Sequence, residues 1–98
     1  IKETFSKISN ISVKRYSGLT VDFASRINAQ FIFRGLRSGV DFEYEKPIAE
    51  TNLTLNPKVN TVFLLTNKEF GMISSSIVRE IIKNNGQVEK FLPKCVKI

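Results

Sequence analysis

Histidine is absent from this 98-residue chain, and cysteine occurs once, as Cys95. Together these absences leave no cluster of imidazole and thiolate ligands for a transition metal. One thiol cannot close an internal disulfide, which fits a reducing compartment, and a cytoplasmic location is expected. Cys95, set between Lys94 and Val96 near the end of the chain, reads as a bystander. No run of eighteen apolar residues exists, so no membrane-spanning segment or membrane partner is expected. Neither Gly-x-Gly-x-x-Gly nor the Walker phosphate loop is present, and there is no internal repeat or low-complexity stretch. The formal net charge is +6, yet no block of five like charges appears. Nor do aromatics interleave with Lys and Arg as a base-stacking platform would require, so nucleic acid is not the expected partner. Small anionic ligands account for the charge equally well.

What is present is an ordinary globular composition, 42% apolar, enough for one small domain spanning residues 1–98. A chain of this size buries roughly 60 to 70% of its unfolded surface on folding. Ile1, Phe5 and Ile8 have the spacing of a helix already under way, and the chain opens on Ile rather than Met with no leader pattern. It is therefore expected to be part of something longer. Ile11 to Tyr16 reads as a first strand and Ser17-Gly18 as its end. Thr20 is placed to cap a helix with Asp22 in its first turn, closed by Asn28. Gln30 to Arg34 is a second strand, rich in Phe and Ile and suited to burial on both faces. A third helix covers Asp41 to about Leu53, where Pro47 requires that it either begin near Lys46 or kink there. Asn56-Pro57 turns the chain into a third strand, Thr61 to Thr66. A last helix runs from Ile77 to Lys83, with Gly86 as its left-handed stop. Alternating helices and near-continuous apolar strands predict an α/β fold built on a parallel sheet.

Two features of this pattern are suited to phosphate. Arg34-Gly35-Leu36-Arg37 brackets a Gly-Leu pair with guanidinium groups at the carboxyl end of a strand. Ser74-Ser75-Ser76 stands at the amino end of a helix, where free amides and the macrodipole favour an anion. Arginine binds phosphate oxygens bidentately, which lysine does less well.

These segments occur in a recognisable order. Gly18-Leu19-Thr20-Val21-Asp22-Phe23-Ala24 comes first, then Arg34-Gly35-Leu36-Arg37, Asp41-Phe42-Glu43-Tyr44-Glu45, Asn52 with Leu55-Asn56-Pro57, and Thr61-Val62-Phe63-Leu64. Ile73-Ser74-Ser75-Ser76 and a helix carrying Arg79-Glu80 complete the series. The succession resembles the C-terminal half to two-thirds of the phosphopantetheine adenylyltransferase family across essentially the whole chain. The resemblance implies a Rossmann-like parallel sheet with flanking helices of the nucleotidyltransferase type, incomplete for lack of the N-terminal strand. It implies adenylyl transfer from ATP to 4′-phosphopantetheine, giving dephospho-coenzyme A and pyrophosphate, with Mg2+ accompanying ATP and a hexameric assembly. In the family pattern Arg34 holds the acceptor substrate, and Thr20 meets the pantetheine arm. Gly35, Leu36, Arg37 and Glu45 line the ATP site, together with the loop and cap Phe70, Gly71, Met72, Ile73, Ser74, Ser75 and Ser76.

The family's catalytic histidine lies in an N-terminal His-x-Gly-His segment, and a lysine that reaches the substrate phosphates follows soon after it. This chain contains neither, so no catalytic residue is assigned here, and the chain by itself is expected to be inactive. Smaller departures are Ser38-Gly39 after the arginines, Lys46-Pro47 within a helix, Leu53 after Asn52, and Gly71-Met72 on the adenine side. Two other readings stay open at this stage: a sister nucleotidyltransferase with a different acceptor, and a basic binding fragment without chemistry.

Overall fold

Two parallel strands, joined by a long helix, make the sheet of this fold. The structure is a computed structural model describing residues 1–98. Its elements are α1 (Thr20–Arg26), β1 (Phe31–Leu36), α2 (Gly39–Leu55), β2 (Asn60–Leu65) and α3 (Ser75–Lys83), with short 3-10 turns at Lys68–Phe70 and Glu89–Phe91. The chain divides into two compact units, Tyr16–Met72 and the combination of Ile1–Arg15 with Ile73–Ile98. Each is described by itself.

In the Tyr16–Met72 unit, β1 and β2 pair in parallel from Phe31 opposite Asn60 to Leu36 opposite Leu65. Hydrogen bonds from Asn60 to Gln30 (3.0 Å) and from Thr66 to Leu36 (2.8 Å) extend the ladder at both ends. The expected α/β class, a parallel sheet with flanking helices, is therefore present in a two-stranded form. The pleat sends Ile32 and Arg34 of β1, with Thr61 and Phe63 of β2, to one face. On that face Phe63 meets Phe42 of α2 edge-on, with ring centroids 5.8 Å apart. The opposite face is bare: Phe31, Phe33 and Leu64 are 52%, 63% and 57% exposed. The expectation that β1 is buried on both faces is thus corrected, because helix α2 packs on one side only. The buried residues here are few: Val21 and Ala24 of α1, Leu36 of β1, and Val59 ahead of β2.

Helix α1 begins differently from the expectation. Leu19 is the N-cap and makes no side-chain cap, whereas Thr20 is the first helical residue. The Thr20 hydroxyl instead shares a 2.9 Å hydrogen bond with the Tyr16 hydroxyl, and the Tyr16 ring stacks on Phe23 at 4.4 Å. The C-terminus follows expectation, since Asn28 takes a left-handed φ of 56°. The amides of Ala29 and Asn28 bond the carbonyls of Ala24 and Ser25, the paired bonds of a Schellman ending.

Helix α2 runs unbroken from Gly39, so its start is neither at Lys46 nor at Pro47. Ser38 caps it by accepting from the Asp41 amide at 3.3 Å, which supplies a start well ahead of the proline. Pro47 sits in the helix interior, where its ring nitrogen has no proton for the carbonyl of Glu43. At the far end Asn56 donates to the Ser25 hydroxyl (2.8 Å) and accepts from the Lys58 amide (3.1 Å), tying the turn to α1.

The unit of Ile1–Arg15 with Ile73–Ile98 is organised around α3. Ser74 is its N-cap and accepts from the Ile77 amide at 3.2 Å. Its other end repeats the ending of α1: Asn85 has φ 58°, and the amides of Gly86 and Asn85 bond the carbonyls of Ile81 and Ile82. Asn85, not Gly86, is therefore the left-handed residue. Glycine follows it for lack of room, because a Cβ there would lie 2.5 Å from Cγ2 of Ile81. Val78 and Val88 are this unit's buried side chains.

Two expected elements do not form. Residues 2–7 make turns rather than an α-helix, with one i to i+4 backbone bond, from Phe5 to Ile1, at 3.3 Å. The Ser6 hydroxyl donates to the Glu3 carbonyl at 3.0 Å, competing with helix propagation in a segment too short to nucleate one. Residues 11–16, expected as a strand, pair with no other strand and so belong to no ladder.

Candidate anion-binding cleft

The carboxyl end of β1 brings its two arginines against the first turns of α2. Arg34 lies on the strand face that α2 covers, and Glu45 meets it squarely. Nε of Arg34 donates to Oε2 at 3.0 Å and Nη2 to Oε1 at 2.5 Å, a two-bond fork. The Glu45 side chain is 12% exposed and that of Arg34 54%, so the acid is sheltered and the guanidinium open. Arg37 lies just past the strand, and Asp41 holds it twice over. The Arg37 amide donates to Oδ2 of Asp41 at 2.8 Å, and Nε and Nη2 reach Oδ2 and Oδ1 at 3.2 and 3.4 Å.

Asp41 and Glu45 are four residues apart and share one side of α2. Along the same side, Glu45, Ile48, Ala49 and Asn52 wall a cleft of about 220 Å³. Tyr16, Thr20, Ile32, Arg34 and Thr61 complete it. Three hydroxyls, a carboxamide and a guanidinium around a small apolar floor suit one phosphate-sized anion with an attached chain.

Hydrogen bonding from Arg34 lowers the Glu45 carboxyl below its ordinary value of 4.5. The Arg37 side chain and then its amide lower Asp41 below 3.8. Arg34 is raised, chiefly by its bonds to Glu45. A carboxylate whose folded pKa is depressed stabilises the fold above its unfolded pKa, and that contribution disappears as pH falls through the folded value. Glu45→Gln should therefore be less stable than the wild type at pH 7, with the gap closing towards pH 3. Urea titrations across that range measure it, and a gap independent of pH would contradict the pairing.

The residues singled out from sequence fall in both units. Thr20, Arg34, Gly35, Leu36, Arg37, Glu45, Phe70, Gly71 and Met72 belong to Tyr16–Met72, and Ile73, Ser74, Ser75 and Ser76 to the other. Thr20, Arg34 and Glu45 come together in the cleft. Leu36 is buried and its carbonyl accepts from Thr66, while a Cβ on Gly35 would meet only the Thr66 hydroxyl, at 3.7 Å. Phe70 and Met72 are exposed, with Gly71 between them at the end of the 3-10 turn. Ser74 is taken up by capping, and Ser75 and Ser76 supply the first two residues of α3.

The chain is similar along its length to known proteins. The chain is 48% identical over 97 residues to a phosphopantetheine adenylyltransferase of Prochlorococcus marinus, covering 99% of the chain and 61% of that relative. It is 48% identical over 98 residues to one from Flavobacterium psychrophilum, covering 100% of the chain and 64% of the relative. The chain is homologous to the phosphopantetheine adenylyltransferases. A third example, from Lachnoclostridium phytofermentans, is 47% identical over 89 residues, 91% of the chain and 55% of the relative. No protein-family model matches the chain. The chain thus spans 61 to 64% of the length of the first two phosphopantetheine adenylyltransferases.

Sequence reasoning did not single out Asp41, Tyr16, Asn52 or Thr61 as site residues. The signal for the α2 residues was available in the spacing 41, 45, 48, 49, 52, a single helical stripe pointing at the arginines. No side-chain cluster of three or more His, Cys, Asp or Glu is placed to hold a metal, and no helix is long and apolar enough to cross a membrane.

Proposed function

We propose that the chain carries the substrate-handling part of an enzyme that transfers the adenylyl group of ATP to 4′-phosphopantetheine, giving dephospho-coenzyme A and pyrophosphate. The observation that carries this reading is the cleft at Arg34. Its guanidinium is braced by Glu45 and still has three N–H donors beyond that pair, among hydroxyls suited to a phosphorylated chain. Identity of 48% to proteins named for this activity supports it.

In this reading Arg34 holds the acceptor phosphate and Thr20 lies along the pantetheine arm. Gly35, Leu36, Arg37 and Glu45 face the nucleotide, as do Phe70, Gly71, Met72, Ile73, Ser74, Ser75 and Ser76. An acceptor phosphate oxygen attacks the α-phosphorus in line as pyrophosphate leaves. Charge then builds on non-bridging oxygens, where fixed donors act without a covalent intermediate. The amides of Ser75 and Ser76, in the first turn of α3, add donors of no net charge. Mg2+ would accompany the ATP phosphates and offset their charge; Glu45, the carboxylate that lines the cleft, is engaged by Arg34. A cytoplasmic homo-oligomer, a hexamer, with no nucleic-acid or membrane partner completes the reading.

The test is pyrophosphate release by the full-length protein given ATP and Mg2+. Release is expected to depend on added 4′-phosphopantetheine. Release that ignores this acceptor and answers to a different one would assign the sister-enzyme reading. Absence of both, with salt-sensitive binding to nucleic acid, would favour a binding module.

A further inference from the structure

Of the chain's three ion pairs, one behaves as an ordinary surface contact. Lys46 reaches Glu50 by a single 3.8 Å approach, with both side chains more than half exposed. The other two share a different design. In each, an arginine from the end of β1 is gripped along the same edge, Nε with Nη2, by both oxygens of one carboxylate. In each, that carboxylate comes from one of two successive turns of α2. Forks of this kind fix the guanidinium plane as well as neutralising charge.

A plain salt bridge is a poor explanation. Exposed pairs contribute little stability, and an anion site gains nothing in charge from two acids placed beside its cations. It gains orientation. A guanidinium has a second bidentate edge, Nη1 with the remaining proton of Nη2, adjoining the one that Glu45 holds on Arg34. Holding the first edge turns the second into a fixed fork, so the ordering of a long side chain is completed on folding and not on binding.

We propose that Glu45 and Asp41 are positioning residues, a carboxylate rack on α2 that sets the guanidinium planes of Arg34 and Arg37 before a phosphate arrives. This rests on the phosphate-handling reading of the cleft and adds to one part of it. Beyond any contact of its own with the nucleotide, Glu45 acts on the acceptor phosphate through Arg34.

The experiment is a pair of double-mutant cycles in the full-length protein. One uses Glu45→Gln with Arg34→Ala, read by adenylyl transfer and calorimetric binding of inorganic phosphate; the other uses Asp41→Asn with Arg37→Ala, read by adenylyl transfer and calorimetric binding of inorganic pyrophosphate. Glu45→Gln is expected to lower kcat/KM about tenfold or more, since misplacement of a binding group by about an ångström costs up to a hundredfold. It should weaken phosphate binding in parallel, with the far-ultraviolet dichroism spectrum unchanged. In the Arg34→Ala background the same substitution should have almost no effect, which a merely structural role would not produce. Asp41→Asn should behave likewise against Arg37→Ala. Equal effects in both backgrounds would overturn the rack. So would tighter phosphate binding by Glu45→Gln, which marks a carboxylate that simply repels the ligand. If Arg34→Ala keeps wild-type phosphate affinity and Arg37→Ala wild-type pyrophosphate affinity, the phosphate reading itself fails. If they lose it while the acid variants do not, the rack alone fails.

Discussion

Replacing Arg37 with alanine is expected to cut adenylyl transfer by the full-length protein about a hundredfold or more, the range found when one fixed donor to a developing oxyanion is removed. Its thermal transition should stay in place. The kinetic loss is large because a reaction of this kind leaves the protein little to do except place charge and hold reactants in line. Arg37 is suited to that, with its backbone and side chain anchored to one carboxylate immediately beyond β1. The stability effect is small because the side-chain pair is exposed, and the backbone bond to Asp41 survives in the alanine variant. Pyrophosphate release paired with a melting curve measures both, and an unchanged rate would remove Arg37 from the site.

A second substitution should act in the opposite sense, abolishing the fold without touching the cleft. Val21→Asp is expected to lose about 4 kcal/mol or more, the range of mutations that bury an unpaired charge. Val21 is the most buried residue of the chain, at 2% exposed, and one of only six apolar residues in its buried core. With so small a core, one such loss is comparable to the total stability of an ordinary domain, about 5–15 kcal/mol. The position lies in the first turn of α1, where a carboxylate at the surface would be welcome, so the penalty isolates burial. Urea unfolding followed by circular dichroism separates the outcomes. Val21→Ala, which removes volume without adding charge, should lose about 1–3 kcal/mol and remain folded.

Much of this architecture was legible in the residues. The apolar runs located β1 and β2 to within a residue or two, and alternation with helices gave the parallel pairing. Asn28 and the run Ser74-Ser75-Ser76 marked helix ends because such residues act locally, although the last helix starts at Ser75 and not at Ile77. Failures came where the deciding partner is distant or missing. Ile11 to Tyr16 has the look of a strand, but a strand requires a neighbour, and none pairs with it. Phe31 and Phe33 look buried because parallel strands usually are, and composition cannot reveal that one face is left uncovered. Pro47 left two choices, a start near Lys46 or a kink there, and the first is ruled out because Ser38 supplies a start eight residues earlier. In the cleft, the arginines and Glu45 stood out as types, whereas the pairing of Arg34 with Glu45, eleven residues away, depends on how α2 folds back over β1.

Pro47 has one more mechanical implication. It is the ninth of seventeen residues in α2, and the rung it cannot donate divides the helix into a forward half, bearing Asp41 and Glu45, and a rear half, bearing Ile48, Ala49 and Asn52. Flexing at that seam breaks fewer internal bonds than anywhere else along the rod. The forward half is held to the sheet at three points, the two arginine clasps and the Phe42 ring against Phe63, all ahead of the seam.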